Sequence, residues 1–294
     1  MPSFTICRYI LHIQNDIAIY EKMDRKKFST RKPSGLFERT EDTVQMKGEL
    51  SKIKVSDDLS RHITLLSFLG IFMNDNPIIA DVINWFSNRT LFLNYSDPFK
   101  ELTLALTKSE RTKNLMLQMI QEMDLDIADF RIEEEDNKTK IYTKHIVNNT
   151  ETELNLIKES SGTKKLFSLF PLIVSALTEG KILIVDELDS KLHPLLLKYI
   201  INLFSDMKIN RNKAQLIFTS HDLSTMNSEV FRRDEIWFVA KGTEQNSQLY
   251  SLVEFKNDKG ESIRKDAKFD KQYLEGKYGA SPLLNKRIHL KKTH

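Results

Sequence analysis

Cysteine is nearly absent from this 294-residue chain, in which Cys7 is the only one. A single cysteine excludes an internal disulfide framework and suits a reducing compartment, so we expect a cytoplasmic location. Because Cys7 stands in an apolar N-terminal run, we expect a core position rather than a reactive thiol. No run approaches the roughly 20 apolar residues of a membrane span. The first residues also lack the basic and apolar regions of a secretory signal.

Strong net charge is absent as well. Lys and Arg number 44 against 41 Asp and Glu, and the resulting charge of +3 is too small to argue for nucleic acid or a membrane. The zinc motifs H-E-x-x-H and paired C-x-x-C are missing, so we expect no structural zinc. The chain is nevertheless long enough for one large or two modest domains with a substantial core.

The most informative stretch is an apolar run followed by acids. Ile182–Val185 is short and rich in β-branched residues, which predicts a central strand buried on both faces of a parallel sheet. Asp186 and Glu187 follow at the C-terminal end of that strand, where open α/β sheets bind ligands. In a nucleotide site the first would hold Mg²⁺ and the second would orient or deprotonate the attacking water. The alternative is an acidic turn in which Asp189 or Ser190 caps the next helix.

Two flanking features bear on this choice. Residues 159–165 read E-S-S-G-T-K-K and lead into an apolar-rich segment. Small hydroxyl and glycine residues at a helix start leave backbone N–H groups free for an anion. Downstream, the apolar strand from Gln215 ends in a polar turn with His221, which can donate a hydrogen bond to a phosphate or to water. Taken separately, a helix N-cap and a turn histidine are the better explanations of these two features.

In this order and spacing, the three motifs resemble those of the ABC-type ATPases. Residues 273–282, Y-L-E-G-K-Y-G-A-S-P, resemble a closing motif of one branch of this group. That branch is the bacterial AAA/ABC-like ATP-binding proteins associated with abortive infection and phage defence. The other correspondences are the signature motif at Ser160, Ser161, Gly162 and Thr163 (S-x-G-T instead of S-G-G-Q), the Walker B strand at Ile182–Asp186, the catalytic glutamate at Glu187, the D-loop at Asp189 and the switch histidine at His221.

This resemblance implies a fold and a chemistry. The fold is α/β, a P-loop NTPase-like parallel sheet core of the ABC ATPase head type with an inserted helical-plus-β lobe. The lobe would comprise residues 1–155 and the C-terminal part of the core residues 156–294. The ligands would be ATP and Mg²⁺, with Asp186 on the metal and Glu187 and His221 as catalytic residues. In a head-to-head dimer, each nucleotide would lie between one subunit's P-loop and the other's signature motif.

One motif of the family is missing from the chain. A P-loop, G-x-x-x-x-G-K-[ST], holds the β- and γ-phosphates of ATP. No such run occurs in the 294 residues, and residues 162–165 are only a partial imitation. In the family the P-loop precedes the region with which this chain opens, so we expect an N-terminally incomplete core. The chain would then be either an ATPase subunit completed by a P-loop-bearing chain, beside a nuclease or toxin-like partner, or an incompetent partner-binding module. A nucleic-acid-binding effector is a third and less favoured reading.

Elsewhere the sequence gives local predictions. Apolar residues at helical spacing over 60–86, interrupted at Asp75-Asn76-Pro77, predict two helices, and a further helix is predicted over 102–123. Residues 126–147 predict a strand hairpin. The basic segment 22–32 predicts an exposed hairpin loop.

The C-terminal half predicts alternating strands and helices, and hence a parallel sheet ending in an antiparallel edge hairpin. Gly180 is predicted to end the first helix. In the family, the P-loop strand lies beside the strand of residues 216–220. We therefore expect an open edge there, filled by the chain's own N-terminal strands or by a partner. The predicted elements are Lys164–Thr178, Lys181–Asp186, Pro194–Met207, Gln215–Ser220, Glu235–Lys241 and Gln248–Glu254.

Overall fold

The computed structural model describes residues 5–27, 29–30, 32–93, 109–123, 125–135, 138–242, 246–256, 260, 262–264 and 267–281. The chain divides into two compact units, residues 1–90 and residues 91–294. The lobe boundary predicted at residue 155 lies inside the second unit and stays a prediction. The tail from residue 282 onward lies outside the described residues.

The first unit contains an antiparallel sheet in the order β1-β2-β3-β4. Asn15 and Asp16 join the first two strands with positive φ angles of 50° and 60°, as a tight hairpin turn requires. The exposed loop predicted over 22–32 is therefore partly wrong, because β2 continues to Lys27 and Met23 is fully buried. The four strands are Thr5–Gln14, Ile17–Lys27, Ser34–Arg39 and Val44–Met46.

The two helices predicted on either side of Asp75-Asn76-Pro77 are present as α1, Leu65–Phe72, and α2, Pro77–Arg89. The Asn76 side chain accepts hydrogen bonds from the first N–H groups of α2, and the proline at the first helical position has no N–H to lose. In the part of the chain that the structure describes, no single helix could cross a membrane by length and composition. The pair α1 and α2 passes that test only when taken together, across a bend of 113°.

Cys7 lies on β1 and is exposed, so the expected core position is wrong. The alternation of β1 explains the error, because every second residue of a strand faces away from the core. Partial desolvation raises the pKa of the Cys7 thiol above its usual value, with Arg25 opposing the shift. The thiol is therefore protonated at neutral pH, and protonated thiols are poor nucleophiles.

A buried carboxylate joins the sheet of the first unit to α1. Glu21 on β2 is fully buried, and its two oxygens accept hydrogen bonds from the N–H groups of Leu65 and Leu66, at 2.6 and 2.8 Å. The Tyr9 hydroxyl donates to the same carboxylate at 2.7 Å. Glu21 thus caps α1 from a neighbouring strand, and its charge is favourable at the positive end of that helix.

Arg39 supplies the opposite charge. It is 2% exposed, and its guanidinium lies 3.8 Å from the Glu21 carboxylate. It also donates to the carbonyl oxygens of Ile63 and Leu59, at 2.9 and 2.6 Å. The pair is therefore hydrogen-bonded on both sides, which is the condition under which buried charges are tolerated.

The second unit is built on a three-stranded sheet in the order β10-β9-β5. Strands β9 (Ile182–Val185) and β10 (Gln215–Phe218) pair in parallel with Ile182 opposite Gln215, which confirms the predicted strands and their direction. Strand β5 (Thr90–Leu93) lies on the other side of β9. The prediction of burial on both faces is only partly correct, because Leu183 and Val185 are buried while the alternate residues are half-buried.

Three helices accompany this sheet. In α4 every residue from Lys165 to Ala176 is buried, so the helix passes through the core and does not lie on its surface. The helix predicted over 102–123 is α3 in its described part, and residues 102–108 lie outside the described residues. The helices are α3 (Glu110–Glu122), α4 (Ser161–Glu179) and α5 (Pro194–Ser205).

Two further sheets complete the unit. The hairpin predicted over 126–147 is confirmed as β6 and β7, and β8 extends it to three antiparallel strands. The predicted C-terminal hairpin is confirmed as the antiparallel pair β11–β12. Helix α6 and the motif at 273–281 pack on that pair through an aromatic cluster, where the Tyr250 hydroxyl donates to the Tyr278 carbonyl at 2.7 Å. The strands are Asp129–Glu135, Lys138–Val147, Thr150–Asn155, Trp237–Lys241 and Ser247–Ser251, and α6 is Phe269–Leu274.

Strand β10 has an open edge. Within the described residues it has a strand neighbour on one side only, and Ile217 is 54% exposed. The N-terminal strands β1 to β4 are hydrogen-bonded in a sheet of their own. Unpaired strand edges invite pairing with a further strand.

Gly180 ends α4 in the left-handed conformation, with φ 68°, as predicted. A side chain here would overlap the carbonyl oxygen of Asn212, whose amide caps the last turn of α4 at 2.9 and 3.0 Å. We expect Gly180→Ala to lower the free energy of unfolding by about 2–4 kcal/mol, since strain and overlap add.

Gly276 provides the matched control for this prediction. It also has a positive φ, 76°, but a methyl group there would meet nothing within 4 Å. We expect Gly276→Ala to cost only the conformational term of about 1–2 kcal/mol. Denaturant melts of the two variants should therefore differ, and equal losses would contradict the packing argument.

Candidate functional site

Asp186 is exposed at the C-terminal end of β9, where Thr219 from the end of β10 fixes it. The Thr219 hydroxyl donates to Asp186 Oδ1 at 2.5 Å and accepts from the Glu187 N–H at 2.7 Å. The Thr219 N–H in turn donates to the Val185 carbonyl at 3.1 Å. One threonine thus holds the carboxylate of the first acid and the backbone of the second.

Glu187 has a positive φ of 47°. Only glycine, asparagine and aspartate adopt this left-handed conformation readily, and the cost for another residue is about 1–2 kcal/mol. The strain is maintained by hydrogen bonds on both sides of the residue, from Glu187 N–H to Thr219 and from Lys165 to the Glu187 carbonyl. The Glu187 carboxylate is exposed, and the backbone conformation of this residue is fixed by these hydrogen bonds.

Lys165 lies in the first turns of α4 and is 4% exposed. Its ammonium donates to the carbonyl oxygens of Glu187 and Ser190, at 2.7 and 2.6 Å. Burial lowers the pKa of Lys165 to about 8, while the negative charges of Asp189 and Glu187 oppose that shift. The lysine thus connects the helix that follows residues 160–163 to the turn that follows β9.

Asp189 connects the same turn to the end of β10. Its Oδ2 accepts a hydrogen bond from the His221 N–H at 3.2 Å. Its Oδ1 is buried and has no hydrogen-bond partner among the described residues. The His221 side chain is exposed and so is available to a ligand at this end of the sheet.

Ser160 caps α4, as one of the two sequence interpretations predicts. Its oxygen accepts from the Thr163 N–H at 3.1 Å and lies 2.8 Å from the Thr163 hydroxyl. A methyl group on Gly162 would lie 2.9 Å from the Lys191 carbonyl oxygen, so glycine permits this helix start to press against the turn after β9. Ser161 is exposed at the first helical position.

The structure therefore groups all eight predicted site residues at one end of the β9–β10 pair. The two residues that the sequence did not single out, Thr219 and Lys165, are those that join the groups to one another. A threonine directly after a strand and a lysine inside an apolar helix were their only signals. The grouping leaves the predicted roles untested, and they stay predictions.

The residues can be compared with what Mg²⁺ and a triphosphate need. Among the residues that the structure describes, no cluster of three His, Cys, Asp or Glu could cage a metal ion. Mg²⁺ on a nucleotide is instead held by one or two carboxylates, phosphate oxygens and water. Asp186, exposed and with one oxygen engaged by Thr219, fits that role. A glycine-rich cradle for the β- and γ-phosphates is missing from the sequence of this chain.

Strands β9 and β10 run in parallel, β9 is followed by two adjacent acids, and a serine-capped helix packs against the next turn. This arrangement belongs to an AAA/ABC-type ATPase domain. Residues 48–227, more than half of the chain, match the family described as "AAA domain, putative AbiEii toxin, Type IV TA system", and the chain belongs to that family. The resemblance stated from the sequence and the predicted fold class are thereby confirmed. No curated protein matches the chain significantly.

Among solved structures, two similar chains are heads of SMC proteins. The SMC head domain from Thermotoga maritima is 14% identical over 80% of this chain and 74% of its own, with a TM-score of 0.42. The Pyrococcus furiosus Smc head with an extended coiled coil, bound to the C-terminal domain of ScpA, is 14% identical, with a TM-score of 0.36. That match covers 63% of this chain and 48% of the Pyrococcus chain.

Proposed function

We propose that this chain carries the hydrolytic half of an ABC-type ATPase site. The observation that carries the proposal is the pair Asp186 and Glu187 at the end of β9. Thr219 holds both acids, and Glu187 is kept in a strained conformation. Strained backbone conformations that several neighbouring groups hold in place are concentrated at functional sites. Adjacent acids pointing in different directions suit the separate tasks of binding a metal and orienting water.

In this proposal each residue has one role. Asp186 holds Mg²⁺, which when bound neutralises charge on the phosphate oxygens. Glu187 orients or deprotonates the attacking water, and His221 donates a hydrogen bond to the γ-phosphate or to that water. The signature residues Ser160–Thr163 present the N-terminus of α4 to the nucleotide of a second subunit, where Asp189 also lies.

The phosphate cradle would come from outside the described sheet. A P-loop-bearing segment or chain, with its strand placed along the open edge of β10, would complete the site. The exposed Ile217 and the one-sided pairing of β10 support this placement. In the assembled enzyme two such sites would lie head to head, each closed by the signature helix of the other subunit.

We extend the proposal to a role in bacterial abortive infection against phage, for which the support is the family description as a putative AbiEii toxin. A cytoplasmic location and a nuclease or toxin-like effector as partner belong to the same proposal and rest on the resemblance stated from the sequence. The second candidate function is a catalytically incompetent module that binds a partner. Its support is the sequence itself, because no G-x-x-x-x-G-K-[ST] run occurs in the 294 residues. A protein without that run loses its main contacts to the β- and γ-phosphates.

Nucleotide binding tests the two candidates against each other. We expect isothermal titration of the isolated chain with Mg-ATP to show no micromolar binding, and co-expression with a P-loop-bearing segment of this family to give binding and Mg²⁺-dependent hydrolysis. Omission of Mg²⁺ is the control. Micromolar binding by the chain alone would contradict the need for a separate P-loop. An assembled complex without hydrolysis would favour the binding module.

Thr219→Val should weaken the site without removing any acid. The variant loses the hydrogen bond to Asp186 and the acceptor for the Glu187 N–H, while valine keeps the shape of the threonine side chain. Loss of such supporting groups typically costs about 10–100-fold in metal affinity or activity. We expect that loss in the Mg²⁺ dependence of ATP turnover by the assembled enzyme. Thr219→Ser, which keeps the hydroxyl, should retain most of the activity, and an equal loss in both variants would contradict the role.

A further inference from the structure

We infer that Lys165 is a positioning residue that couples the start of α4 to the Glu187 carboxylate by clamping the turn between them. The inference rests on the proposed function, because it assigns to Lys165 the orientation of the residue proposed to activate water. Its hydrogen bonds reach the backbone carbonyl oxygens of Glu187 and Ser190.

The first step is the geometry of the clamp. Residues 187–190 form a turn in which the Ser190 N–H donates to the Glu187 carbonyl at 3.0 Å. Lys165 Nζ reaches the carbonyl oxygens at both ends of this turn, Glu187 O at 2.7 Å and Ser190 O at 2.6 Å. One ammonium thus satisfies two acceptors and fixes the span between them. Hydrogen bonds from a charged donor are about twice as strong as neutral ones.

The second step concerns the direction of the Glu187 side chain. A residue's Cα–Cβ direction is set by the two peptide groups that flank it. For Glu187 the preceding N–H is held by Thr219 and the following carbonyl by Lys165. The Ser190 N–H also donates to this carbonyl at 3.0 Å, and the Leu188 N–H donates to the Thr219 carbonyl oxygen at 3.0 Å. Lys165 is therefore one of several groups that keep Glu187 at its left-handed φ of 47° and so fix the direction of its side chain.

The third step is the connection to the signature residues. Lys165 lies on α4 one turn beyond Ser160, which caps that helix, and Gly162 allows the helix start to approach the Lys191 carbonyl. A displacement of this helix start would therefore be transmitted to the turn through both contacts. In the head-to-head arrangement, the signature residues face the nucleotide of the other subunit. Lys165 would then link the binding of one nucleotide by the signature residues to the orientation of the Glu187 carboxylate at the other nucleotide.

Stability alone does not explain a lysine at this position. The residues that follow it in α4, up to Ala176, are all buried and mostly apolar. Burial disfavours the charged form of the lysine, and an apolar residue of similar volume is often neutral or stabilising in place of a buried charge. The two hydrogen bonds from its ammonium both reach one functional turn.

Hydrogen exchange on the full chain tests the clamp without requiring catalysis. We expect Lys165→Met to speed exchange of the Ser190 and Leu192 amides, which donate to the carbonyl oxygens of Glu187 and Asp189, by about tenfold or more, while the melting temperature changes little. Lys198→Met removes the same charge from an exposed position on α5 and should leave these amides unchanged. Unchanged exchange in Lys165→Met would overturn the inference.

Turnover by the assembled enzyme tests the coupling. We expect Lys165→Met to lower kcat for ATP by about 10²-fold with little change in KM, because misplacement of a reacting group by about 1 Å has that effect. Lys165→Arg, which keeps the charge and the donors, should recover part of kcat. A raised KM with unchanged kcat would overturn the positioning role.

The two measurements separate the inference from the function on which it rests. An assembled wild-type enzyme that does not hydrolyse ATP would refute the proposed function, while the exchange experiment would still decide whether Lys165 clamps the turn. Should Lys165→Met fail to fold, Lys165→Gln, which keeps an uncharged donor, takes its place in both measurements. Intermediate exchange and intermediate kcat in that variant would support the inference, and wild-type values in both would overturn it.

Discussion

Replacing Glu187 by glutamine is expected to lower ATP turnover by the assembled enzyme about 10²–10⁴-fold, the usual contribution of a general base. The amide has the shape of the carboxylate but cannot accept the proton of water. Because hydrogen bonds with Thr219 and Lys165 hold the backbone of Glu187, the substitution leaves the turn and Asp186 in place. ATP should therefore still bind, and the variant should retain it unhydrolysed.

Two measurements check this expectation. Single-turnover hydrolysis of radiolabelled ATP gives the chemical rate, and co-elution of unhydrolysed nucleotide on a sizing column shows retention. Glu229→Gln is the matched control, because it makes the same change at an exposed position. Undiminished turnover in Glu187→Gln would mean that another group activates the water.

Local signals were sufficient for several elements. The limits of β9 followed from four apolar residues between polar ones, and the end of α4 from Gly180. The start predicted for α4 at Lys164 lies three residues after the observed start at Ser161. These features depend on neighbours within a few residues, so the sequence displays them directly. The β2 strand was missed in part because Lys22 to Lys27 are mostly charged, although Met23 among them is fully buried.

The contacts that organise the site were not predictable in the same way. Thr219 is 33 residues from Asp186 along the chain, and Lys165 is 22 residues from Glu187. One sequence shows which residues are present but not which distant pairs meet. The left-handed conformation of Glu187 was also hidden, because glutamate has no preference for it and tertiary hydrogen bonds impose it. The sequence therefore identified the two acids, but it did not identify Thr219 and Lys165, which hold them in place.

Glu21→Ala should have the largest effect on stability in the first unit. The substitution leaves the Arg39 guanidinium, 2% exposed, without its carboxylate, and removes the acceptor for the first N–H groups of α1. Breaking a buried ion pair from one side typically costs about 3–5 kcal/mol. For a unit of this size each kcal/mol corresponds to about 4–8 °C in melting temperature. Calorimetry of the full chain should show the first unit melting well below its wild-type temperature.

Glu38 on β3 offers the comparison that isolates burial as the cause. It also pairs with a basic residue, Lys47, but both side chains are partly exposed, 26% and 39%. Exposed pairs contribute about 0–1 kcal/mol, so Glu38→Ala should scarcely move the transition. The double variant Glu21→Ala with Arg39→Met should regain part of the loss, since it removes the uncompensated charge while an apolar residue fills the space. If the double variant were less stable than Glu21→Ala, the unpaired guanidinium would not be the source of the cost. The hydrogen bonds from Arg39 to Ile63 and Leu59 would then be the dominant contribution.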